Sequence, residues 1–568
     1  MLGCAGTLRA VHPILSRRVW LLAWLLAVTS SSAACRRGGS NSRDASTITI
    51  GIQQEPDSLF LPFREMIAAE EMVRAASPSL AVFDDRWELV PHAATQIPTT
   101  ANGRLSTLPD GRMKATWTLR PDLVWPDGTA VTARDVRAWF NIMKDPRQEI
   151  ADRTVVDLME SLELDAKDPS TFHVMFKQRY AYHANYRAFE LLPAHLVEPA
   201  HAAAGGALKS HAFGSSPIFP GAFTFGAWER GQYVVFVRNP KAVGPNIRPA
   251  VDKLIWKIIP TTAALEAHLL SGDIDAVSPV GLLLDQALLL KQRVGEQGFT
   301  FHLTDGLQWE HVDFNLDHPW FKDVRMRQAL THALDRQAMV DTLFAGKQPV
   351  AHGYSPPRRY DHAPDVRRYA HDPARAAALL EELGWKVGPD GIRARDGERL
   401  TITLTTTAGV STRERVTQIM MDQYKKVGVE LVVDAVPAKV LFGELTRRRK
   451  FKHLVMFAWL FDPLKGPDSF WRCDQIPGAT NGWQGQNYGG WCQQKASSLI
   501  EQAGLELDDV KRAALLRDAE RLWADGLPAI PLYFRAEVSI TRKGFDGWRP
   551  TGTLTPVTWN AQSWKMNP

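Results

Sequence analysis

The chain is poor in cysteine, with four among its 568 residues, and this scarcity excludes a small disulfide-rich scaffold. Cys4 and Cys35 belong to an apolar N-terminal stretch, which leaves Cys473 and Cys492 for the rest of the protein. In an oxidising compartment we expect these two to form a disulfide that closes the loop Asp474–Trp491. A metal site is the competing use, but no pair of histidines lies near them in the sequence.

Catalytic signatures are also missing. The sequence contains neither Gly-x-Ser-x-Gly nor His-Glu-x-x-His, and its 16 histidines are scattered. His311, His318 and His332 lie near one predicted helix but do not have the spacing of metal ligands. These absences disfavour a secreted hydrolase, and we predict a protein that is not an enzyme and that has no metal or cofactor.

An excess of charge is absent as well. The formal net charge is +5, and removal of Met1–Ala34, which holds three arginines and no acid, lowers it to +2. So small a charge gives no electrostatic case for nucleic-acid binding. The composition, 45% hydrophobic and 23% charged, is that of a globular protein. The length predicts about two to four domains, with room for a closed ligand cavity.

The N-terminus has the order of a signal peptide over residues 1–34. Arg17 and Arg18 precede the apolar run Val19–Val28, which is too short to span a bilayer, and small residues follow up to Cys35. This order predicts export to the periplasm or the cell surface. Ser16–Leu21 also resembles a twin-arginine export motif.

The segment Ser32–Cys35 resembles a bacterial lipobox, although a serine stands where leucine is usual. The resemblance implies that Cys35 is lipidated and anchors the protein to the membrane, and ordinary cleavage after Ala34 is the alternative. Residues 35–46 are short and polar enough to serve as the tether.

The stretch 453–471 changes from apolar to turn-forming residues at Asp462. Leu454–Phe461 is an unbroken apolar run, the pattern of a central strand that is covered on both faces. Asp462 ends this run and is followed by turn-forming residues. A carboxylate in this position lies where open α/β sheets bind ligands, beyond the strand ends. The alternative is that Asp462 only begins the next loop as an Asx turn.

The region before this strand alternates between strand and helix patterns, which predicts a βαβαβ run and a parallel sheet with right-handed crossovers. The predicted elements are Thr401–Thr406, Thr412–Val427, Val429–Val436, Ala438–Arg449 and Leu454–Phe461. Elsewhere, alternation predicts a first strand over Thr47–Ile52, and a one-sided apolar stripe predicts a helix over Asp323–Phe344.

Thr116–Phe140 (TWTLRPDLVWPDGTAVTARDVRAWF) is similar to the signature of the extracellular solute-binding proteins of family 5, the oligopeptide- and dipeptide-binding components of bacterial ABC importers. Further segments match in the same order and span nearly the whole mature chain. They are Trp228–Pro240, Ser271–Ala276, Phe314–Arg336, Asp372–Trp385 and Pro528–Arg535.

The resemblance implies an α/β, two-lobed periplasmic-binding-protein-like fold with an extra subdomain. Mixed sheets with flanking helices would enclose a ligand cleft between the lobes. Residues 47–62, 213–305 and 531–568 would form a discontinuous lobe one, residues 63–212 its extra subdomain, and residues 306–530 lobe two.

The resemblance also implies binding residues. Trp459-Leu460-Phe461-Asp462 matches the family's Trp-x-x-Asp, whose aspartate anchors the α-ammonium of a peptide. Arg413 lies closest to the place of the arginine with which dipeptide binders hold the ligand carboxylate. Trp459, Trp471 and Trp483 are candidates for the cleft lining, and core packing is the other use of such residues.

The implied function is capture of di- or oligopeptides by a monomeric lipoprotein that delivers them to an ABC permease and its ATPase. The same scaffold with a non-peptide solute, such as an oligosaccharide, a metal chelate or haem, is the first alternative. A ligand-sensing or chaperone lipoprotein without a transporter is another, and a secreted hydrolase is disfavoured.

Overall fold

The computed structural model describes residues 45–150, 152–185, 189–203, 208–242, 248–553 and 555–567. The predicted signal peptide, Cys35 and most of the tether lie outside the described residues. From Ala45 onward the chain packs as one compact unit. None of the helices in these ranges combines the length and apolar content needed to cross a bilayer.

The secondary structure is mixed, as the fold class predicted. The helices are α1 Ile67–Arg74, α2 Ala133–Lys144, α3 Thr154–Leu158, α4 Ala194–Ala203, α5 Thr262–Ser271, α6 Leu284–Val294, α7 Pro319–Lys322, α8 Val324–His332, α9 Arg336–Phe344, α10 Pro373–Glu382, α11 Ser411–Lys426, α12 Ala438–Val440, α13 Asp468–Trp471, α14 Gln494–Leu505 and α15 Asp509–Gly526. The strands are β1 Thr47–Ile52, β2 Ala81–Phe83, β3 Leu89–Pro91, β4 Leu105–Thr107, β5 Met113–Thr118, β6 Met159–Leu164, β7 Thr171–Phe176, β8 Phe223–Glu229, β9 Tyr233–Arg238, β10 Lys253–Ile258, β11 Ala276–Val277, β12 Phe299–Phe314, β13 Lys386–Val387, β14 Arg393–Arg395, β15 Glu398–Arg399, β16 Thr401–Thr407, β17 Glu430–Val436, β18 Leu454–Leu460, β19 Ala529–Arg542, β20 Phe545–Asp546 and β21 Lys565–Met566.

One large sheet organises the chain, with strand order β17-β16-β18-β12-β19-β11-β1-β10-β9-β8. At one end β16 runs parallel to both β17 and β18, which confirms the predicted βαβαβ run. Strand β18 is central because its other edge pairs antiparallel with β12. Its first residues, Leu454–Phe457, are fully buried, as the apolar run predicted.

Strands β12 and β19 are much longer than the others and join the two ends of this sheet. The Gln308–Phe314 part of β12 pairs with β18 and β19, whereas the Phe299–Asp305 part pairs with β19 alone. The register shifts between Asp305 and Gln308. At Gly306, between them, a Cβ atom would lie 2.5 Å from the Arg535 carbonyl oxygen, so a side chain there would displace β19.

The buried apolar residues also form separate clusters at the two ends of this sheet. One cluster of buried residues takes its members from residues 48–276 and 548–564, and another takes its members from residues 284–533. A separate four-stranded sheet, in the order β4-β5-β7-β6, is built from residues 105–176 and packs into the first cluster.

Two predicted helices differ from the observed ones for local reasons. The helix expected over Asp323–Phe344 is divided into α8 and α9, because Asp335 interrupts it and accepts a hydrogen bond from the Ala338 backbone N–H at 2.9 Å as the N-cap of α9. The helix expected over Ala438–Arg449 begins as α12 and continues as a π-helix over Leu441–Thr446.

The predicted disulfide is confirmed, since Cys473 and Cys492 are bonded and their Cα atoms are 4.7 Å apart. We expect the double substitution Cys473→Ser/Cys492→Ser to lower the free energy of unfolding by about 3 kcal/mol, because the open loop gains chain entropy in the unfolded state. Guanidinium denaturation with and without reductant measures this. Reductant should destabilise the wild type but not the double variant; equal midpoints for the two oxidised proteins would contradict the prediction.

Candidate functional site

The loop that follows β18 is held in place by its own first residue. Asp462 Oδ1 accepts hydrogen bonds from the backbone N–H groups of Leu464 at 2.8 Å and Lys465 at 3.0 Å. This is the Asx turn that the residue pattern left open as an alternative. It uses one carboxylate oxygen and leaves the second, Oδ2, to face away from the turn.

Arg359 and Tyr360, in a neighbouring loop, donate hydrogen bonds to the backbone of the same turn. The buried Arg359 guanidinium donates to the carbonyl oxygens of Asp462 and Lys465, the latter at 3.1 Å, and the Tyr360 hydroxyl donates to the Leu464 carbonyl at 2.9 Å. Arg359 is itself paired with Asp361 at 2.6 Å. Burial alone would lower the pKa of Arg359, but the Asp361 carboxylate outweighs burial and raises it. The Asp462 turn is therefore stabilised by a guanidinium that belongs to a buried ion pair.

Asp462 Oδ2 accepts a hydrogen bond from the Asn185 side-chain amide at 2.6 Å and faces a cavity of ≈ 390 Å³. Asn185 lies more than 270 residues before Asp462, so the cavity forms only where distant segments meet. Its walls include Leu61 and Pro62, which lie between β1 and α1, and Trp139 from α2. The Asn185 amide uses one acceptor position of this oxygen, and a carboxylate oxygen has a second position that a ligand ammonium can use.

The charged residues that line this cavity are mainly acidic. The carboxylates belong to Glu65, Asp152, Glu190 and Asp462, and the basic side chains to Arg64 and Lys465. Arg64 is already paired, because it donates to Glu190 at 2.6 Å and contacts Glu70, and Arg74 completes the buried cluster with both glutamates. The excess of carboxylates favours a cationic guest.

A second chamber of ≈ 250 Å³ adjoins the first and shares Thr154, Tyr180 and Lys465 with it. Its remaining charged residues are Asp468, Arg472 and Glu501. Arg472 is engaged with Asp474 at 2.9 Å and with Glu501 at 3.5 Å. The Lys465 side chain has no hydrogen bond or ion pair with any described residue.

The three predicted tryptophans lie elsewhere, and within the described residues none lines either chamber. Trp459 is half-buried and stacks on Phe470 with ring centroids 4.5 Å apart. Trp471 is buried in an aromatic core cluster, 5.5 Å from Trp523. Trp483 lies under the Arg448 guanidinium at 4.8 Å. None of the three is among the described residues that line the chambers, and their role as ligand contacts remains a prediction.

Arg413 is not among the described residues that line this cavity. It is buried and donates to Glu310 at 2.6 Å, and it also contacts the Thr407 hydroxyl. Glu310 receives a second guanidinium from Arg535 at 2.5 Å. Arg413 thus joins α11 to β12 through Glu310, and its role toward a ligand carboxylate remains a prediction.

Sequence reasoning missed the residues that complete the site around Asp462, namely Asn185, Tyr180, Lys465 and Arg359. The only local signals were the aromatic pair in Tyr180-Ala181-Tyr182 and a lysine inside the turn after the central strand. Neither signal reveals that residues so far apart in sequence share one cavity.

A mixed α/β fold with an acidic cavity assembled from distant segments defines a solute-binding protein. The model of the family described as bacterial extracellular solute-binding proteins, family 5 Middle, matches residues 88–481. The chain belongs to this family, the solute-binding components of ABC importers, and the resemblance found in the sequence is confirmed.

Known relatives agree with the assignment. The oligopeptide-binding protein AppA of Bacillus subtilis is 25% identical over 400 residues, which cover 69% of this chain and 70% of the relative. The oligopeptide-binding protein of Thermus thermophilus, solved with a pentapeptide, is 29% identical with a TM-score of 0.71 and covers 92% of this chain and 96% of its own. NikZ from Campylobacter jejuni, solved with Ni(L-His), is 23% identical with a TM-score of 0.73, covers 92% and 100% of the two chains, and shares the fold.

Proposed function

We propose that this protein captures di- or oligopeptides and delivers them to the permease and ATPase of an ABC importer. One observation carries the proposal: Asp462 lies at the end of the central strand and turns one carboxylate oxygen into an acidic cavity. A carboxylate in a closed cavity binds an ammonium through charge-assisted hydrogen bonds. Relatives named as oligopeptide-binding proteins support the choice of a peptide.

The proposed mechanism is closure of two lobes over the ligand. Lobe one comprises residues 47–62, 213–305 and the C-terminal segment, with residues 63–212 as its subdomain, and lobe two begins at Gly306. The register shift at Gly306 supports this division, and so does the split of the apolar core apart from Leu284, which packs with the second cluster. Strand β19 crosses between the lobes at Arg535–Ala536, which lies opposite the register shift in β12. We therefore propose the boundary there and not at Pro531. Two strands that cross between lobes can bend at such a point.

The remaining parts of the proposal concern location. The signal peptide over residues 1–34 directs export, and Cys35 carries the lipid that anchors the protein at the periplasmic face or cell surface, with residues 35–46 as the tether. The proposal further includes a monomer without catalytic activity, whose partners are a solute, a permease with its ATPase, and the membrane.

Mass spectrometry of the protein purified under native conditions tests the function. We expect small peptides to copurify, and we expect a saturating peptide to raise the stability by about 2.7 kcal/mol at 100 times its Kd. The same thermal-shift assay with oligosaccharides, nickel–histidine and haem serves as the comparison. A shift with one of these and none with any peptide would replace the peptide with a different solute; product formation from a peptide or ester library would indicate a hydrolase.

A further inference from the structure

The second chamber contains buried polar atoms that have no partner within the described part of the chain. The Tyr180 hydroxyl and the Oδ2 atom of Asp468 make no hydrogen bond, and the only hydrogen-bonding neighbour of the Tyr182 hydroxyl among the described residues is the Gly466 backbone. Tyr180 is 7% exposed and Tyr182 is 1% exposed, so bulk water does not satisfy them. An unpaired buried polar group costs about 1–3 kcal/mol, and two such atoms beside a third buried hydroxyl indicate a ligand site.

These atoms face one another across a boundary between distant segments. Tyr180 and Tyr182 approach from the segment after β7, and Asp468 approaches from the start of α13. A Cβ atom on Gly466 would lie 2.7 Å from the Tyr182 hydroxyl and 3.4 Å from Asp468 Oδ2, so the two oxygens border the same small space. The Ala181 N–H donates to the Gly504 carbonyl at 2.9 Å and joins the segment after β7 to α14, whose Gly504 and Leu505 also line the chamber.

The electrostatics of the combined space favour a positive charge. Six carboxylates and three basic side chains line the two chambers. Arg64 pairs with Glu190 and Arg472 with Glu501, which leaves four carboxylates and Lys465. Burial, together with the carboxylates of Asp462 and Asp468, raises the pKa of Tyr180 above its ordinary value. Burial likewise raises the pKa of Asp468, against the opposing effect of Lys465 and Arg472. A cation in the chamber would reverse this effect on Asp468.

We propose that the chamber formed by Asp468, Tyr180 and Tyr182 is a subsite for a basic side chain of the bound peptide, so that the preferred ligands carry a lysine or arginine near their N-terminus. The N–H donors of an ammonium or guanidinium match three acceptor oxygens, one of them charged. The shared wall at Tyr180 lets one ligand reach both chambers: its α-ammonium binds Asp462 while its side chain extends to Asp468. The inference rests on the proposed peptide function.

Isothermal titration with tripeptides tests this subsite. Lysine is placed at the first, second or third position of trialanine, and each peptide is compared with the same peptide containing norleucine, which has no charge. We expect one lysine position to bind about 10- to 100-fold more tightly than its norleucine counterpart. Asp468→Asn should remove this difference, Tyr180→Phe should reduce it, and Asp518→Asn, an exposed control, should retain it. Thermal unfolding of each variant shows whether it is folded.

Each other outcome has a distinct meaning. Equal binding of the lysine and norleucine peptides overturns the subsite while the peptide function stands, whereas the absence of any peptide binding overturns the proposed function itself. A lysine preference that survives in Asp468→Asn also overturns the subsite. A preference that appears only in Lys465→Met would show that the Lys465 ammonium fills the chamber in the wild type and would overturn the inference in the same way.

Discussion

Substitution of Asp462 by asparagine is expected to weaken the binding of peptides with a free N-terminus by about 100-fold, or about 3 kcal/mol. The asparagine keeps an oxygen for the turn N–H groups of Leu464 and Lys465, so the loop keeps its shape. It loses the negative charge, and a charge-assisted hydrogen bond to the ligand ammonium becomes a neutral one or is lost. Isothermal titration with one peptide and its N-acetylated form measures the effect.

The acetylated peptide is the internal control, because it has no ammonium to lose. It should bind weakly to the wild type, and Asp462→Asn should change its affinity little. The exchange Asn185→Asp/Asp462→Asn offers a second test, because it retains an amide–carboxylate pair but moves the charge to the residue on the other side of this hydrogen bond. If Asp462→Asn bound the free peptide as tightly as the wild type does, Asp462 would not be the ammonium anchor. Tight binding that returned in the exchange variant would mean that a carboxylate at either position holds the ammonium.

Substitution of Arg359 by methionine is expected to lower the free energy of unfolding by about 3–5 kcal/mol. The guanidinium is buried and paired with Asp361 at 2.6 Å, so its removal leaves a buried carboxylate without its cation. It also removes a donor from the carbonyl groups of Asp462 and Lys465, which loosens the turn that carries the ammonium anchor. Urea denaturation measures the first effect, and peptide affinity under native conditions measures the second.

Neighbouring residues provide the controls. Arg358→Met removes an exposed guanidinium that packs on Trp87 and should change stability by less than about 1 kcal/mol. The double variant Arg359→Met/Asp361→Leu should recover part of the stability, because no unpaired charge remains, but not the affinity, because the turn still lacks its support. A single variant as stable as Arg358→Met would mean that the ion pair is not needed.

Several elements were predictable because local patterns specify them. The apolar run Leu454–Phe461 predicted a central strand, and the alternation after Leu400 predicted the parallel pairing of β16 with β17 and β18. The signature over Thr116–Phe140 identified the family through residues that are close in sequence. The break at Asp335 was missed because the apolar stripe continues across it, while the capping carboxylate acts on the next helix alone.

Local sequence patterns did not decide between the two roles of Asp462. The sequence predicted both a binding carboxylate and an Asx turn as alternatives, yet one side chain has two oxygens: the turn uses one, and the other faces the cavity. Arg413 was proposed because it lies close to the place of the dipeptide binders' arginine, and its ion pair with Glu310 became visible only when β12 and α11 were packed together.

By itself the sequence determined the disulfide partners, the strand that leads to Asp462 and the family. Each of these depends on the order of neighbouring residues or on a count so small that one pairing remains. Tertiary structure alone decided that Asn185, Tyr180 and Lys465 share a cavity with Asp462 and that Arg359 supports its turn. The physical reason is that a cavity wall is made of side chains whose separation in space is set by the packing of whole elements, and no local periodicity in a chain encodes that separation.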